Sequence, residues 1–452
     1  MYEIIIVGSG VSSLFLALTL AESNLNQKIL ILEKGKPLAD RNCSSDQTGV
    51  CHCETCDRYV GFAGLGKSEG KFNYASGFGG ELARKVGNQR LVELLREVDE
   101  VICRFGGDKV SKYSTVNEKL DQKAIASSLQ MLTTEVRHLG SKLSTEVFQE
   151  FYRVLSISSK IDMAFEVNID KIEKKKNGFS LSTDKGVYSS QKLVVATGRS
   201  GTEWLDEKCS ELGVNRGKTR LDLGMRVEMK ETQLRSILQG TFETKLAMTY
   251  RDRTSTTYCM NPRGQIIRKH QEGLVMPDGQ NFREKETGTS NLNFTFFTPT
   301  YFTTLREAND YALQLIGKIN KGGDRIVIQR LEDFRNKQAT HNSQLMKNHI
   351  RPTLKADCGN LYDEIPELYT KTLEEFLCRL QDFVGQEIDG DTLLYGIDGK
   401  FYSPVIETDD QFQTNCKGLY VIGDCSGITS SLSQAAASGI YLGGHLAKKS
   451  LQ

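Results

Sequence analysis

The stretch from Tyr2 to Glu22, YEIIIVGSGVSSLFLALTLAE, decides the fold. Its β-branched run up to Val7 reads as a buried strand, and the apolar residues Leu14, Leu16, Ala17, Leu18 and Leu20 follow at helical spacing. Between them lies Gly8-Ser9-Gly10. Strand, tight turn and helix in this order open a dinucleotide-binding unit. Gly8 permits the turn, Gly10 lets the backbone approach a pyrophosphate, and the free N–H groups of the first helical turn favour negative charge. Ser13 stands at the third glycine position, where a small side chain still allows the helix to pack closely on the strand.

Working outward, KILILEK (28–34) supplies a second strand ending at Glu33, at the spacing where a carboxylate accepts hydrogen bonds from an adenosine ribose, with Lys34 beside it. Residues 160–201 alternate strands with polar turns and finish in the buried run KLVVATG. There Ala196, Thr197 and Gly198 bring backbone close to a nucleotide, and Val167 on the way to that run is a further cofactor-binding candidate. Near the far end, KGLYVIGDCSGITSSLSQAAASGIYLGGHLA (417–447) reads as a strand ending at Gly423-Asp424, a Gly/Ser/Thr turn and a small-residue helix. An acid at that place can bind a ribityl chain, and the helix dipole can stabilise negative charge on a flavin ring. The three separated elements together point to FAD rather than NAD as the resident dinucleotide.

Composition narrows the class. A chain of 452 residues exceeds one typical core, so two or three domains are expected. Lys plus Arg number 58 against 57 Asp plus Glu, which disfavours nucleic acid or an anionic membrane as partner. The N-terminus runs into the glycine turn without a basic region or cleavage site, so a cytoplasmic protein is expected, and eleven cysteines there are free, catalytic or metal-bound rather than a disulfide framework.

The expected fold is α/β: a glutathione-reductase-like Rossmann FAD domain built from discontinuous segments, with an inserted β-rich α+β domain. Residues 1–216 form its first part, including a helical segment at 90–155; 217–352 form the inserted substrate domain; 353–452 return through a helical region to the FAD domain.

Beyond these elements the chain resembles the uncharacterised FAD-dependent dehydrogenase family, also described as NAD(FAD)-utilising dehydrogenases. The resemblance runs nearly end to end through GFAGLGKSEGKF (61–72), ATGRSGTEWL (196–205), LDLGMRVE (221–228), TYCMNPRGQII (257–267), RPTLKADCGNLYDEIP (351–366), SPV (403–405) and GLYVIGDCSG (418–427). It implies bound FAD and a redox reaction, and supplies no substrate. Two departures stand out: family members usually carry Gly-Glu-Gly-Gly-Ala-Gly where this chain has Gly61-Phe62-Ala63-Gly64-Leu65-Gly66, and Asp424 replaces a common Glu.

Flavin chemistry requires groups that position a substrate, move a proton and exclude water. Lys67 in the glycine-rich 61–72 stretch, and Tyr258, Cys259 and Arg263 on a strand near 250–264, are the catalytic candidates, each set against a plain structural role. A Tyr or Cys donates a proton and an Arg clamps a carboxylate. In GTSNLNFTFF (288–297), alternation places Asn291 and Asn293 on one face of a half-buried strand. No second glycine fingerprint follows a β-run, so NAD(P)H as electron donor would dock on the flavin directly; a redox partner protein and the substrate itself are the other sources.

CSSDQTGVCHCETC (43–56) holds Cys43, Cys51, Cys53 and Cys56 at C-x7-C-x-C-x2-C, with His52 among them. Four thiolates suit zinc or an iron-sulfur cluster, a Cys pair suits dithiol exchange, and unligated thiols are the third reading. Two function classes follow. One is an FAD-dependent oxidoreductase, a dehydrogenase or reductase acting on a small organic substrate; the other is an electron-transfer or redox-sensing protein whose flavin and cysteines serve a protein partner.

Overall fold

The computed structural model describes residues 1–24, 27–42, 56–67, 70–241, 244–271, 273–280 and 288–449. It divides into two compact units, one made of 1–114, 134–219 and 402–452, the other of 115–133 and 220–401.

In the first unit, five strands run parallel in the order Ile161–Ala164, Ile29–Leu32, Tyr2–Val7, Gly186–Val195, Leu419–Val421. The second strand lies on one side of the first and Gly186–Val195 on the other. The order therefore reverses at Tyr2–Val7, the position where open α/β sheets bind ligands beyond the strands' carboxyl ends. The beginning of Gly186–Val195 pairs instead with the antiparallel hairpin Ile169–Lys175 and Gly178–Thr183. Ile4, Ile5 and Ile6 are all fully buried because both faces of the sheet are covered. One face packs on a core that includes Leu14, Leu16, Phe148, Phe151 and Leu442; the other packs on Leu205, Cys209 and Val214.

The helix Val11–Glu22 crosses the C-terminal helix Leu432–Lys449 at close range. A Cβ at Gly439 would overlap the Ser12 carbonyl, and one at Gly443 would stand 2.8 Å from Thr19. The small residues of the segment's helix thus make a close helix contact.

The second unit is built on an eight-stranded sheet whose central strands are Leu393–Phe401, Thr219–Lys230, Asn291–Phe302 and Arg253–Pro262. Period-two alternation sorts their side chains. Leu221, Leu223, Met225, Val227, Leu292, Phe294 and Phe296 join a core with the helix Glu367–Val384, where Phe296 stacks on Phe376 at 3.9 Å. Asp222, Arg226, Glu228, Asn291, Asn293 and Thr295 form the polar alternation, yet they too are buried. From Asn291 to Pro299 this strand is therefore buried on both faces, not half-buried, because the polar residues bond to one another and to the hairpin Gln265–Gln271 and Leu274–Gln280.

Two boundaries differ from expectation. The segment 353–401, expected with the nucleotide half, belongs to the second unit, because its strand Leu393–Phe401 pairs with Thr219–Lys230 and its long helix packs on the same sheet. The segment 90–155 is only partly helical. Short strands Tyr113–Ser114, Gln130–Leu132 and Glu135–His138 interrupt it, and Gln130–Leu132 pairs with Lys245–Ala247 of the second unit's sheet.

Candidate functional site

The glycine turn has the geometry its sequence required. Gly8 adopts φ +97°, and a Cβ there would lie 2.6 Å from the Ala196 carbonyl oxygen, so the first strand and the Ala196-Thr197-Gly198 turn approach as only glycine allows. Gly10 caps the helix Val11–Glu22, and a Cβ added to it would meet nothing nearer than that same oxygen at 4.0 Å. Open space beside Gly10, at the N-terminus of a helix with no side-chain cap, is room for a phosphate group. Ser13 is fully buried and packs in the first turn as a small residue must.

Glu33 ends the second strand and is buried. One carboxylate oxygen accepts from the Ser9 N–H and Ser9 hydroxyl, both at 2.7 Å; the other accepts from the Gly35 N–H at 2.8 Å. The acid therefore fixes the glycine turn and its own loop. Val167 donates its backbone N–H to the Glu33 carbonyl at 3.0 Å, which places it at the same strand end; Lys34 lies between Glu33 and Gly35.

The glycine-rich segment lies against this turn. Ala63, at φ +69°, donates to the Ser9 carbonyl at 2.9 Å and forms a bridge with Gly10. Lys67 donates to the Arg41 carbonyl at 2.5 Å. Arg41, which the sequence reading passed over, is itself buried and gives its guanidinium to the carbonyls of Asp57, Phe62 and Arg58. Burial pulls its pKa down, against the pull of Glu33 and Asp57 upward. Its work is to hold the loop 57–62 in place. A charged residue eight positions after Glu33 was the available signal.

At the C-terminal end, Gly423 adopts φ +72° with its Cβ direction against the Ser12 hydroxyl, and Asp424 opens a short 3-10 turn. Asp424 accepts from the Thr429 hydroxyl at 2.7 Å and stands 3.4 Å from the Arg199 guanidinium. Gly198 adopts φ +62° with nothing within 4 Å of its Cβ direction. Cys425, beside Asp424, is fully buried, and burial pushes its thiol up to about 11, so it is an inert thiol.

The cysteine cluster is only partly within view: Cys43, Cys51, Cys53 and His52 lie outside the described residues. Cys56 is described as a free cysteine whose carbonyl accepts from Tyr59 and Val60. Among the described residues no group of three or more His, Cys, Asp or Glu is arranged to hold a metal ion.

The second unit separates the remaining candidates. Tyr258 sits within its strand, whereas Arg263 lies five residues on, in the turn to the next strand at φ +55°. At about 3.3 Å per residue they are roughly 16 Å apart along the chain, so they do not form one cluster. The side chain of Cys259 lies outside the described residues. Around Tyr258 the fold gathers residues that the sequence did not single out. Lys400 reaches the phenol oxygen at 2.5 Å, and the Lys245 ammonium lies 4.3 Å from the ring centroid. These partners are 142 and 13 positions away in sequence, and no local pattern joins them.

Farther along the same face lies a buried ionic network. Arg226 donates to Asn293 and Thr295 and faces Asp398 and Asp278 at 3.4 Å; Lys269 donates to Asp398 at 2.9 Å. Burial pulls the Lys269 ammonium down, but Asp398 and Asp278 outweigh it and its pKa stands above the ordinary value. Gly279 is required here, since a Cβ would overlap the Arg226 guanidinium. This network closes a hairpin onto a sheet, a structural task.

The turn, the helix and the acid at the second strand's end give the first unit a Rossmann-type α/β arrangement; the second unit is built on its own sheet. No protein-family profile matches the chain, and no curated protein is similar to it. Among solved structures, it is similar to glycine oxidase from Geobacillus kaustophilus (12% identity, 99% of this chain and 95% of that one, TM-score 0.37). It is likewise similar to E. coli quinol fumarate reductase FrdA (12%, 100% and 70%, TM-score 0.42) and to halogenase PltM in complex with phloroglucinol and FAD (10%, 100% and 69%, TM-score 0.40). Likenesses at these scores carry no argument; the fold class stands on the geometry itself. No helix among the described residues is long and apolar enough to cross a membrane.

Proposed function

We propose that the chain is an FAD-dependent oxidoreductase that acts on a small organic molecule. The observation that carries this reading is the glycine turn: Gly8 in contact range of Ala196, open space at Gly10 before a helix N-terminus, and Glu33 locked at the neighbouring strand end. These residues fit a dinucleotide. Gly8, Gly10 and the first turn of Val11–Glu22 would hold the pyrophosphate, Glu33 the adenosine ribose, and Gly423 with Asp424 the ribityl chain. Ala196, Thr197 and Gly198 would line the cofactor from the facing turn. When bound, FAD supplies acceptance and donation of a hydride or of single electrons. The chain's own residues bind and orient it, and the first helix presents positive dipole character toward its phosphates.

The test is an anaerobic preparation on which flavin, iron, zinc and acid-labile sulfide are measured together. Stoichiometric flavin that a Gly8→Val variant fails to retain is the expected outcome. A flavin-free protein whose binding of added FAD is indifferent to Gly8→Val would sink the reading. Iron with sulfide, or zinc, in stoichiometric amount would assign Cys43, Cys51, Cys53 and Cys56 to a metal; flavin alone would leave them as thiols.

A further inference from the structure

At the carboxyl edge of the first unit's sheet, two neighbouring parallel strands end in matched turns. Gly186–Val195 leads to Gly198 at φ +62° and a 3-10 turn opened by Arg199; Leu419–Val421 leads to Gly423 at φ +72° and a 3-10 turn opened by Asp424. Opposite charges open the two turns. The Arg199 Nε lies 3.4 Å from one Asp424 carboxylate oxygen, while the other accepts from the Thr429 hydroxyl.

In strand order, Arg199 falls between the groups proposed for the pyrophosphate and for the ribityl chain. Its strand pairs with Tyr2–Val7 on one side and with Leu419–Val421 on the other. At the usual strand spacing, the three steps from the Glu33 strand to the Asp424 strand cover about 14 Å, and Arg199 follows the strand at the second step. Both turns border the glycine turn: a Cβ on Gly8 would lie 2.6 Å from the Ala196 oxygen, and one on Gly423 would overlap the Ser12 hydroxyl.

The two charged side chains differ in exposure, 40% for Arg199 against 12% for Asp424. Nε faces the acid, and among the described residues no acceptor takes a hydrogen bond from the two terminal amino groups of Arg199. Beside them, the Cβ direction of Gly198 meets nothing within 4 Å. Those amino groups carry four N–H donors in a planar fork that suits two oxygens of one phosphate. A mostly buried carboxylate at one side of the fork limits its freedom, which lowers the cost of ordering it around a ligand. The demand for a cation is also clear, because a helix N-terminus supplies only about half an elementary charge against a diphosphate.

We propose that Arg199 is a further phosphate-binding residue of the dinucleotide turn, its terminal amino groups donating to oxygens of a nucleotide diphosphate beside the free N–H groups of the helix Val11–Glu22. That this diphosphate belongs to FAD rests on the flavoenzyme reading; recognition of a nucleoside diphosphate does not.

ADP is the probe, because it carries the adenosine and the diphosphate but no ribityl chain for Asp424. On the full-length protein as purified, FAD affinity is read by equilibrium dialysis and ADP affinity by displacement of bound FAD; a flavin-free preparation is titrated with ADP by calorimetry. Arg199→Gln should weaken FAD and ADP alike by about tenfold, the size of one charge-assisted hydrogen bond, and leave adenosine binding unchanged. Arg199→Lys, which keeps the charge without the fork, should recover part of the loss, and the comparison stands on it even where the glutamine variant fails to fold. FAD weakened with ADP unaffected would mean that Arg199 acts only through Asp424, and overturns the proposal. ADP affinity indifferent to both variants, or adenosine weakened as much as ADP, overturns it too. Bound flavin with ADP indifferent to Arg199 defeats this contact alone; Arg199-dependent ADP binding by a protein that takes up no flavin defeats the flavoenzyme reading alone; a protein that binds neither defeats both.

Discussion

Glu33 in the first unit and Glu228 in the second are both buried carboxylates satisfied by neutral donors, and they are satisfied in opposite ways. Glu33 takes its hydrogen bonds from Ser9 and Gly35, groups of the glycine turn and of its own loop. Glu228 takes them from Asn291, Thr353 and Tyr395, which arrive from three distant stretches of chain. Burial together with Glu228 raises the Tyr395 phenol well above its ordinary pKa, so it remains a donor throughout the physiological range. At Glu33 polar order comes from the backbone and hydroxyl of a nearby turn, and at Glu228 it comes from side chains assembled across a sheet.

That contrast can be broken experimentally, because the single tryptophan, Trp204, lies in the first unit, where its indole donates to the Ile169 carbonyl at 3.1 Å. Its fluorescence reports that unit, while hydrogen exchange resolves both. The largest effect should come from Arg226→Met. It removes the buried guanidinium facing Asp398 and Asp278 and leaves Lys269 beside both acids, at a cost of up to roughly 3–5 kcal/mol for breaking a buried ionic arrangement. Hydrogen exchange should quicken along strands 219–230 and 291–302 with the Trp204 transition in urea little changed. A Trp204 transition displaced as far as the second unit's would mean that the units do not unfold separately.

Next in size is Gly8→Ala, which places a Cβ 2.6 Å from the Ala196 oxygen at φ +97°. About 1–3 kcal/mol of strain is expected, read as an earlier Trp204 transition. An unchanged midpoint would mean that the turn relaxes and that the close approach to Ala196 is not obligatory.

The smallest effect concerns acid. In the first unit, burial raises the Asp99 pKa, but the paired hydrogen bonds from Arg137 at 2.7 and 3.1 Å outweigh it and leave the carboxyl below its usual value. In the second, Asp391 is likewise lowered: burial opposes, and the His349 N–H and the Arg330 guanidinium win. A lowered carboxylate contributes stability that is present above its unfolded pKa, about 3.9, and disappears as pH falls through the lower folded value. Asp99→Asn should therefore reduce stability at pH 7 and flatten the loss below about pH 4 in the Trp204 signal. Asp391→Asn should do the same only in the exchange of the second unit. An acid limb unchanged by either variant would show that other carboxylates govern it.

Much of the first unit was legible because its signals are local. Gly8 and Glu33 act within a strand-turn-helix-strand segment of about thirty residues, where spacing fixes geometry. The return of 419–421 to the sheet was legible too, from a buried run followed by glycine and acid. Legibility failed at 353–401, since a helix and a strand look alike whichever sheet they join. It failed again at Asn291 and Asn293: alternation shows which residues share a face and says nothing of what covers that face.

By itself the sequence determined the glycine turn, the parallel strands around it and the alternating character of the strands at 219–230 and 291–302, because backbone conformation and side-chain period are local properties. Only the tertiary structure decided that Arg226 meets Asp398, that Lys400 and Lys245 converge on Tyr258, and that Arg41 braces the loop at 57–62. Those contacts depend on strand order and on long side chains reaching across neighbouring strands, quantities that no window of sequence contains.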